Sequence, residues 1–350
     1  MSGIKNIRET RLNVADLSYG SEPSGLIYGY AFAPGQPADS LNTETSLAWL
    51  RAAHDLGTPE FVWLHFNRSN VHSEKWLREH LSIPEHYYET LREGPGSTRI
   101  EQADDCLIAV INDVLFDSTY EAPQIATLWM CVTHNLVVSA RLHPLRSVDH
   151  LRVAVKAGEP LASPLSLLAH LLRDQADVLQ QIARDATTRV DRIEDNLLAG
   201  RRMNAKRGTL GSLRRVFVRL RRLLAPEPGS LFRLLNHPPA WFGEDDAEEL
   251  RAATEEFSAV LNDLSALQER TKLLQEEITA HITEQTNRSV FLLTMVTVLA
   301  LPINIIAGLL GMNVGGIPLA QDPNGFWAIA AIVASFTALA GWFVRFKTKD

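Results

Sequence analysis

The chain has 350 residues, 46% of them hydrophobic, enough for two domains or one large one with a sizeable core. Its 34 basic and 41 acidic residues leave a formal charge of −7, which argues against a nucleic-acid binder. Two cysteines are too few for a disulfide framework, and the absence of a Walker A loop, GxSxG elbow, GxGxxG fingerprint or HExxH pair leaves ATP-driven pumping and hydrolysis without their parts. The chain is not read as an enzyme.

Met1 to Arg11 carries no apolar h-region and no small-residue cleavage site, so the soluble part is expected to stay in the cytosol. Strand-like runs follow at Gly25 to Ala33, Phe61 to Phe66, Cys106 to Val114, Ala126 to Val132 and Leu136 to Ala140. Helical patterns near Leu41 to His54 and Ser73 to Leu81 alternate with them, which predicts an α/β or α+β domain. Cys106 and Cys131 sit in apolar runs and read as reduced core residues. The spacing Cys131-Val132-Thr133-His134 suits two ligands of a metal such as zinc, with His65, His72, His143 and His150 as further donors. No second CxxC or HxxxH completes a tetrahedral set, so a core cysteine beside a turn histidine is the favoured reading.

A long helical pattern runs from Ser163 to Leu198, and Gly208, Gly211, Pro226, Pro228, Pro238 and Pro239 punctuate what comes next. Arg201 to Arg222 is basic and contains no acid; pairing with an acidic helix of the same or a neighbouring subunit, or with anionic headgroups, is expected there, not nucleic acid. After Gly243 neither Pro nor Gly occurs up to Arg288, while Leu250, Phe257, Val260, Leu264, Leu267, Leu274, Ile278 and Ile282 recur at helical spacing. With no break before the apolar segment beyond it, one helix of roughly 65 residues, about 100 Å, is predicted, and it needs partners to stay soluble. It is rich in carboxylates. Most read as a solvated face, and Glu276 and Glu277, toward the apolar segment, are the candidates for a cation path.

From Val290 to Leu310 the sequence is free of charge and about 30 Å long as a helix, enough to cross a bilayer. Gly325 to Val344 is a second such run, with Trp327 and Trp342 near its ends. Arg345, Lys347 and Lys349 follow it, whereas the connecting loop has no basic residue, so both termini are expected in the cytosol. Thr297, Asn304, Gly308 and Gly311 share one face of the first span; extended backwards, that face takes in Leu293 and Val290, then Thr286 or Asn287. An amide in hydrocarbon needs a partner, and the stripe reads either as the lining of a pore or as helix–helix packing. A hydrophobic gate is expected at Val290 and Leu293. Asp322, the one acid of the loop, is either a ring of charge at the mouth of an oligomer or a turn residue before Pro323.

The first span ends at Gly311-Met312-Asn313, continued as Val314-Gly315-Gly316-Ile317-Pro318. Placed after the first of two C-terminal spans behind a long helix, this triplet resembles the signature of the CorA superfamily. The extension GMNVGGIP looks like the ZntB-type zinc-transporter branch, because Leu310 precedes the triplet and Leu319 follows Pro318, where the magnesium branch has an aromatic and Pro-Glu. Phe61 to Leu64 and Leu136 to Ser147 resemble the family's early Trp-containing strand and its late strand with the following turn.

The resemblance implies a funnel-shaped homopentamer in a bacterial inner membrane that moves divalent cations, zinc first, with magnesium, cobalt, cadmium or nickel as alternatives and proton coupling as an option. It places Gly311, Met312, Asn313 and Asp322 at the outer mouth. No organic cofactor is implied. A membrane-tethered metal sensor or scaffold is the alternative of another kind. The expected divisions are 1–160 cytosolic α/β domain, 161–242 helical layer, 243–289 stalk, 290–310 and 325–344 spans, 311–324 outer loop and 345–350 tail. The spans contain no Cys, His or Glu, so an ion is expected to pass largely hydrated, with Asn313 touching its water shell.

Overall fold

The computed structural model describes residues 21–53, 60–96, 98–115, 123–199, 204–312 and 322–347, with backbone only at 52–53, 204–207, 340 and 343–347. The chain divides into two compact units, Met1–Leu274 and Gln275–Asp350.

The first unit is built on a seven-stranded mixed sheet in the order β2-β1-β3-β7-β6-β5-β4. The strands are β1 (Leu26–Phe32), β2 (Asp39–Leu41), β3 (Phe61–Asn67), β4 (Arg99–Ala103), β5 (Cys106–Val114), β6 (Ile125–Val132) and β7 (Leu136–Arg141). All neighbours are antiparallel except β3 and β7, which run parallel in the middle with Val62 opposite Leu136 and Asn67 opposite Arg141. The pleat sends alternate residues to opposite faces, and both faces are buried. Along β3, Phe61 and Trp63 join one core while Val62, Leu64 and Phe66 join the other; along β5, Leu107, Ala109 and Ile111 divide from Cys106, Ile108 and Val110 in the same way.

The face with Val62 is covered through Trp76 and Leu77 of α2 (Val71–His80) and Tyr87, Tyr88 and Leu91 of α3 (Glu85–Glu93), with Leu47 and Leu50 of α1 (Thr43–Ala53) packed alongside. The face with Trp63 is covered by α4 (Arg146–Lys156), α5 (Pro164–Leu198), α7 (Pro226–Asn236) and the first turns of α8 (Glu244–Leu310), which contribute Leu250 and Ala253. The expected α/β domain is thus a three-layer sandwich. Helix α6 (Asn204–Leu224) passes straight through Gly208 and Gly211, where the sequence suggests a break. Leu210, Leu213, Phe217, Leu220 and Leu224 are buried, and that burial outweighs two glycines. Arg214, Arg215, Arg219, Arg221 and Arg222 are exposed on the other side of it. Pro226 likewise starts a helix, at the first position, where no N–H is needed.

Helix α5 begins at a capping box in which Ser163 Oγ accepts from Ser166 N and Ser166 Oγ accepts from Ser163 N. It lies beside the first part of α8, pinned by Arg173 to Glu249 at 2.8 Å and by Arg270 to Asp191 at 2.8 Å and to Glu194. Among the described residues, these pairs join α5 to α8, and the exposed Arg214, Arg215, Arg219, Arg221 and Arg222 of α6 are not in them.

Candidate ion pathway

Helix α8 is uninterrupted for 67 residues, as its lack of Pro and Gly up to Arg288 predicts, and it extends into the second unit. Its C-terminal part contains an 18-residue window of mean hydropathy 2.4, none of it buried. Among the described residues it is the one helix long and apolar enough to cross a membrane. Helix α9 (Gly325–Lys347) has 23 residues, but its apolar stretch with described side chains, Gly325–Leu339, is shorter than that test requires.

Counting 100° per residue from Thr297, a regular helix places Thr286, Val290, Leu293, Asn304, Gly308 and Gly311 within roughly 40° of one line. Asn287 falls roughly 80° from that line, Glu276 roughly 60°, and Glu277 roughly 160°, on the opposite side. Thr286, Val290, Leu293, Thr297, Asn304 and Gly308 are all exposed in the single chain, with Val290 at 56% and Leu293 at 70%. Thr297 Oγ1 donates to Leu293 O at 2.9 Å, and Thr286 Oγ1 donates to Ile282 O at 2.8 Å. Each hydroxyl spends its only proton on its own helix, so what it presents outward is an acceptor oxygen. Such a surface suits a cation or its water shell.

Sequence reasoning passed over Pro302, which lies inside α8. Proline has no N–H, so the carbonyl four residues back, at Val298, loses its helical partner. A freed carbonyl in an apolar segment is an oxygen ligand or a hydrogen-bond acceptor for whatever passes or packs there. A proline at the centre of a charge-free run was the available signal.

At the end of α8, Gly311 N donates to Ala307 O at 3.0 Å, and Met312 is 51% exposed. Asn313, the third residue of the triplet, lies outside the described residues, as does the rest of GMNVGGIP. Asp322 Oδ1 accepts from Asn324 N at 2.8 Å and its carbonyl accepts from Gly325 N at 3.0 Å, which is turn chemistry at the start of α9. One carboxylate oxygen remains outward. Glu276 and Glu277 are exposed.

The Cys–His metal-ligand pattern of the first unit is not gathered. Cys131 is 2% exposed within β6, whereas His134 is exposed in the turn between β6 and β7. His72, His143 and His150 are exposed, and among the described residues no group of three or more His, Cys, Asp or Glu is placed to hold a metal. The neighbour of Cys131 is Cys106, whose thiol, together with burial, pushes the Cys131 thiol far up; Cys106 Sγ also donates to Ala103 O at 3.1 Å. His65 is fully buried and serves the sheet instead. Trp63 Nε1 donates to Ser139 Oγ at 2.8 Å, His65 Nδ1 meets the same oxygen at 2.7 Å, and Tyr28 stacks on the imidazole at 4.7 Å.

Comparison with known proteins places this architecture. The divalent cation transporter CmaX of Pseudomonas aeruginosa is 31% identical over 325 residues, covering 92% of this chain and 96% of that protein. The solved structure of full-length CmaX superposes with a TM-score of 0.76 at 28% identity, covering 93% of this chain and 98% of the other. The zinc transport protein ZntB of Pectobacterium carotovorum subsp. carotovorum is 24% identical over 283 residues, 81% of this chain and 86% of its own length. The complete structure of the CorA magnesium transporter from Methanocaldococcus jannaschii has the same fold, with a TM-score of 0.71 at 18% identity over 91% of this chain and 97% of that one. The family described as CorA-like Mg2+ transporter protein matches residues 59–345, and with the α/β domain, the long helix and these relatives in agreement, the chain belongs to that family.

Proposed function

We propose that this chain carries divalent cations across a bacterial inner membrane, zinc foremost, through a pore lined by several copies of the C-terminal part of α8. The observation that carries the proposal is the exposed line of Thr286, Thr297, Asn304 and Gly308 along an apolar segment none of which is buried. One helix cannot enclose a pore, and a polar line in hydrocarbon calls for copies around an axis. Five copies, with α9 as the second span and both termini in the cytosol, follow the family pattern. Gly311, Met312, Asn313 and Asp322 form the outer mouth, Val290 and Leu293 the constriction, and Glu276 the cytosolic exit; Glu277 points away from the line.

Zinc is favoured by the extension Val314 to Pro318 and by the likeness to ZntB. The donor set within the pathway is all oxygen, so the ion keeps most of its water, and magnesium or cobalt is the second reading. Flux into liposomes of the purified full chain, with zinc and magnesium in parallel and with and without a pH gradient, tests this. Zinc should enter, and Asn313→Ala should abolish entry with the fold intact; undiminished flux in that variant would remove the pore assignment.

A further inference from the structure

Glu227 stands in the first turn of α7 with none of its surface exposed, and neither carboxylate oxygen has a hydrogen-bond partner. A second orphan lies beside it. Gln175 of α5 is 2% exposed; its Nε2 donates to the backbone carbonyl of Asn112 in β5, which fixes the amide orientation, and its Oε1 is left without a donor.

The surroundings are polar but already committed. Asn112 N and Nδ2 both donate to Thr98 Oγ1, at 3.3 and 3.2 Å; Asn112 Nδ2 also donates to Gly96 O at 2.9 Å, and Thr127 Oγ1 donates to Asn112 Oδ1 at 3.1 Å. The Thr98 hydroxyl therefore retains its own proton for Glu227. The charged group that acts on Glu227 is Asp113 of β5, also fully buried, and it repels a second negative charge. His150 of α4 acts on Asp113. Arg99 of β4 is turned to Glu93, while Arg221 and Arg222 of α6 and Arg233 of α7 itself are exposed. An unpaired carboxylate buried beside another carboxylate is costly, and both orphans are acceptors. What is missing between them is one hydrogen.

We infer that Glu227 is a proton-binding site: its carboxyl is held neutral, donates that proton to Gln175 Oε1 and accepts the Thr98 hydroxyl proton, so that one bound proton ties α7 to α5 and to the sheet. A single proton satisfies Glu227 and Gln175 together and requires no cavity, which a hydrated cation would. Burial and the Asp113 charge both raise the Glu227 carboxyl well above the ordinary range, with Thr98 and Gln175 pulling weakly the other way. Because the folded form holds the proton more tightly, this group's contribution to stability is present below the unfolded value of about 4.5 and is lost as pH rises through the folded value. The domain thereby carries a proton sensor that is independent of which ion the chain moves.

The test is infrared spectroscopy of the full chain in detergent, with thermal unfolding followed across pH. Wild type should show a protonated-carboxyl stretch at neutral pH that Glu227→Gln removes and that Gln175→Leu moves toward the position of a free acid. Glu227→Gln should raise the unfolding midpoint by a few degrees at mildly alkaline pH, with the gain vanishing toward about pH 4.5. Absence of the band overturns the inference, as does a change in midpoint that is the same at every pH. A magnesium-induced rise in midpoint present in wild type and absent in Glu227→Gln overturns it too, because a cation would then occupy the place given to the proton.

Discussion

Arg141 Nε donates to His65 Nε2 at 2.8 Å, across the parallel pair β3 and β7, between two side chains that are nearly or fully buried. That bond places the imidazole lone pair on Nε2 and its hydrogen on Nδ1, which donates to Ser139 Oγ. Burial first, then the charges of Arg141 and Arg152, hold the His65 pKa well below 6.5. The unfolded chain therefore binds a proton that the folded chain refuses, and stability falls as pH drops from about 6.5 toward the lower folded value. His65→Leu should remove this acid sensitivity while costing about 2–4 kcal/mol at neutral pH, because Arg141 Nε and Ser139 lose a buried partner. Nitrogen NMR of the imidazole, with chemical denaturation at two pH values, reads both effects.

Asp113 acts at a distance as the cap of α4. Its Oδ1 accepts from Ser147 Oγ at 2.8 Å and from Val114 N at 2.7 Å, and its Oδ2 accepts from Ser147 N at 3.0 Å, where the helix has no side-chain cap of its own. Asp113→Ala should cost about 1–2 kcal/mol or more. Burial raises the carboxyl to about 6 against these bonds, so its contribution is full below about pH 3.8 and lost as pH rises to about 6. Asp113→Asn, which keeps an acceptor, should flatten that part of the stability curve.

The residues proposed to line the pathway divide by what they offer. Thr297→Val removes an outward acceptor oxygen at nearly constant volume and should reduce cation flux without changing thermal stability. Polar replacement at Val290 or Leu293, such as Leu293→Asn, should raise resting leak if these side chains form the constriction. Liposome flux with and without a driving gradient separates the two.

Cys131 and His134 should prove dispensable for zinc. Cys131 is buried with its thiol pushed up by burial and by Cys106, and His134 is exposed. The native chain should resist thiol labelling at Cys131, and His134→Ala should leave zinc flux unchanged; a loss of flux would restore the pair as ligands.

Legibility in the sequence followed burial. The five strand-like runs lie within a residue or two of β1, β3, β5, β6 and β7, because strands covered on both faces read as continuous apolar runs. The edge strands β2 and β4 went unseen: Asp-Ser-Leu and Arg-Ile-Glu-Gln-Ala are short and polar, and their pairing partners alone make them strands. Helix α3 was missed for a related reason, since its buried face is made of Tyr87, Tyr88, Thr90 and Leu91 and carries little simple hydrophobicity. The line along α8 could be counted from spacing, and its exposure followed. Glu227 could not be found that way. An acid beside two prolines reads as surface, and only the fold buries it.

Leu250 and Ala253, in the first turns of α8, belong to the same core as Trp63 and Leu107. Every contribution to that core therefore precedes the apolar segment from Val290 along the chain. Because chains are synthesised N-terminus first and domains fold as units, the residues that cover this sheet face are made ahead of the apolar segment. The order of events in biosynthesis is thus written into where one helix begins.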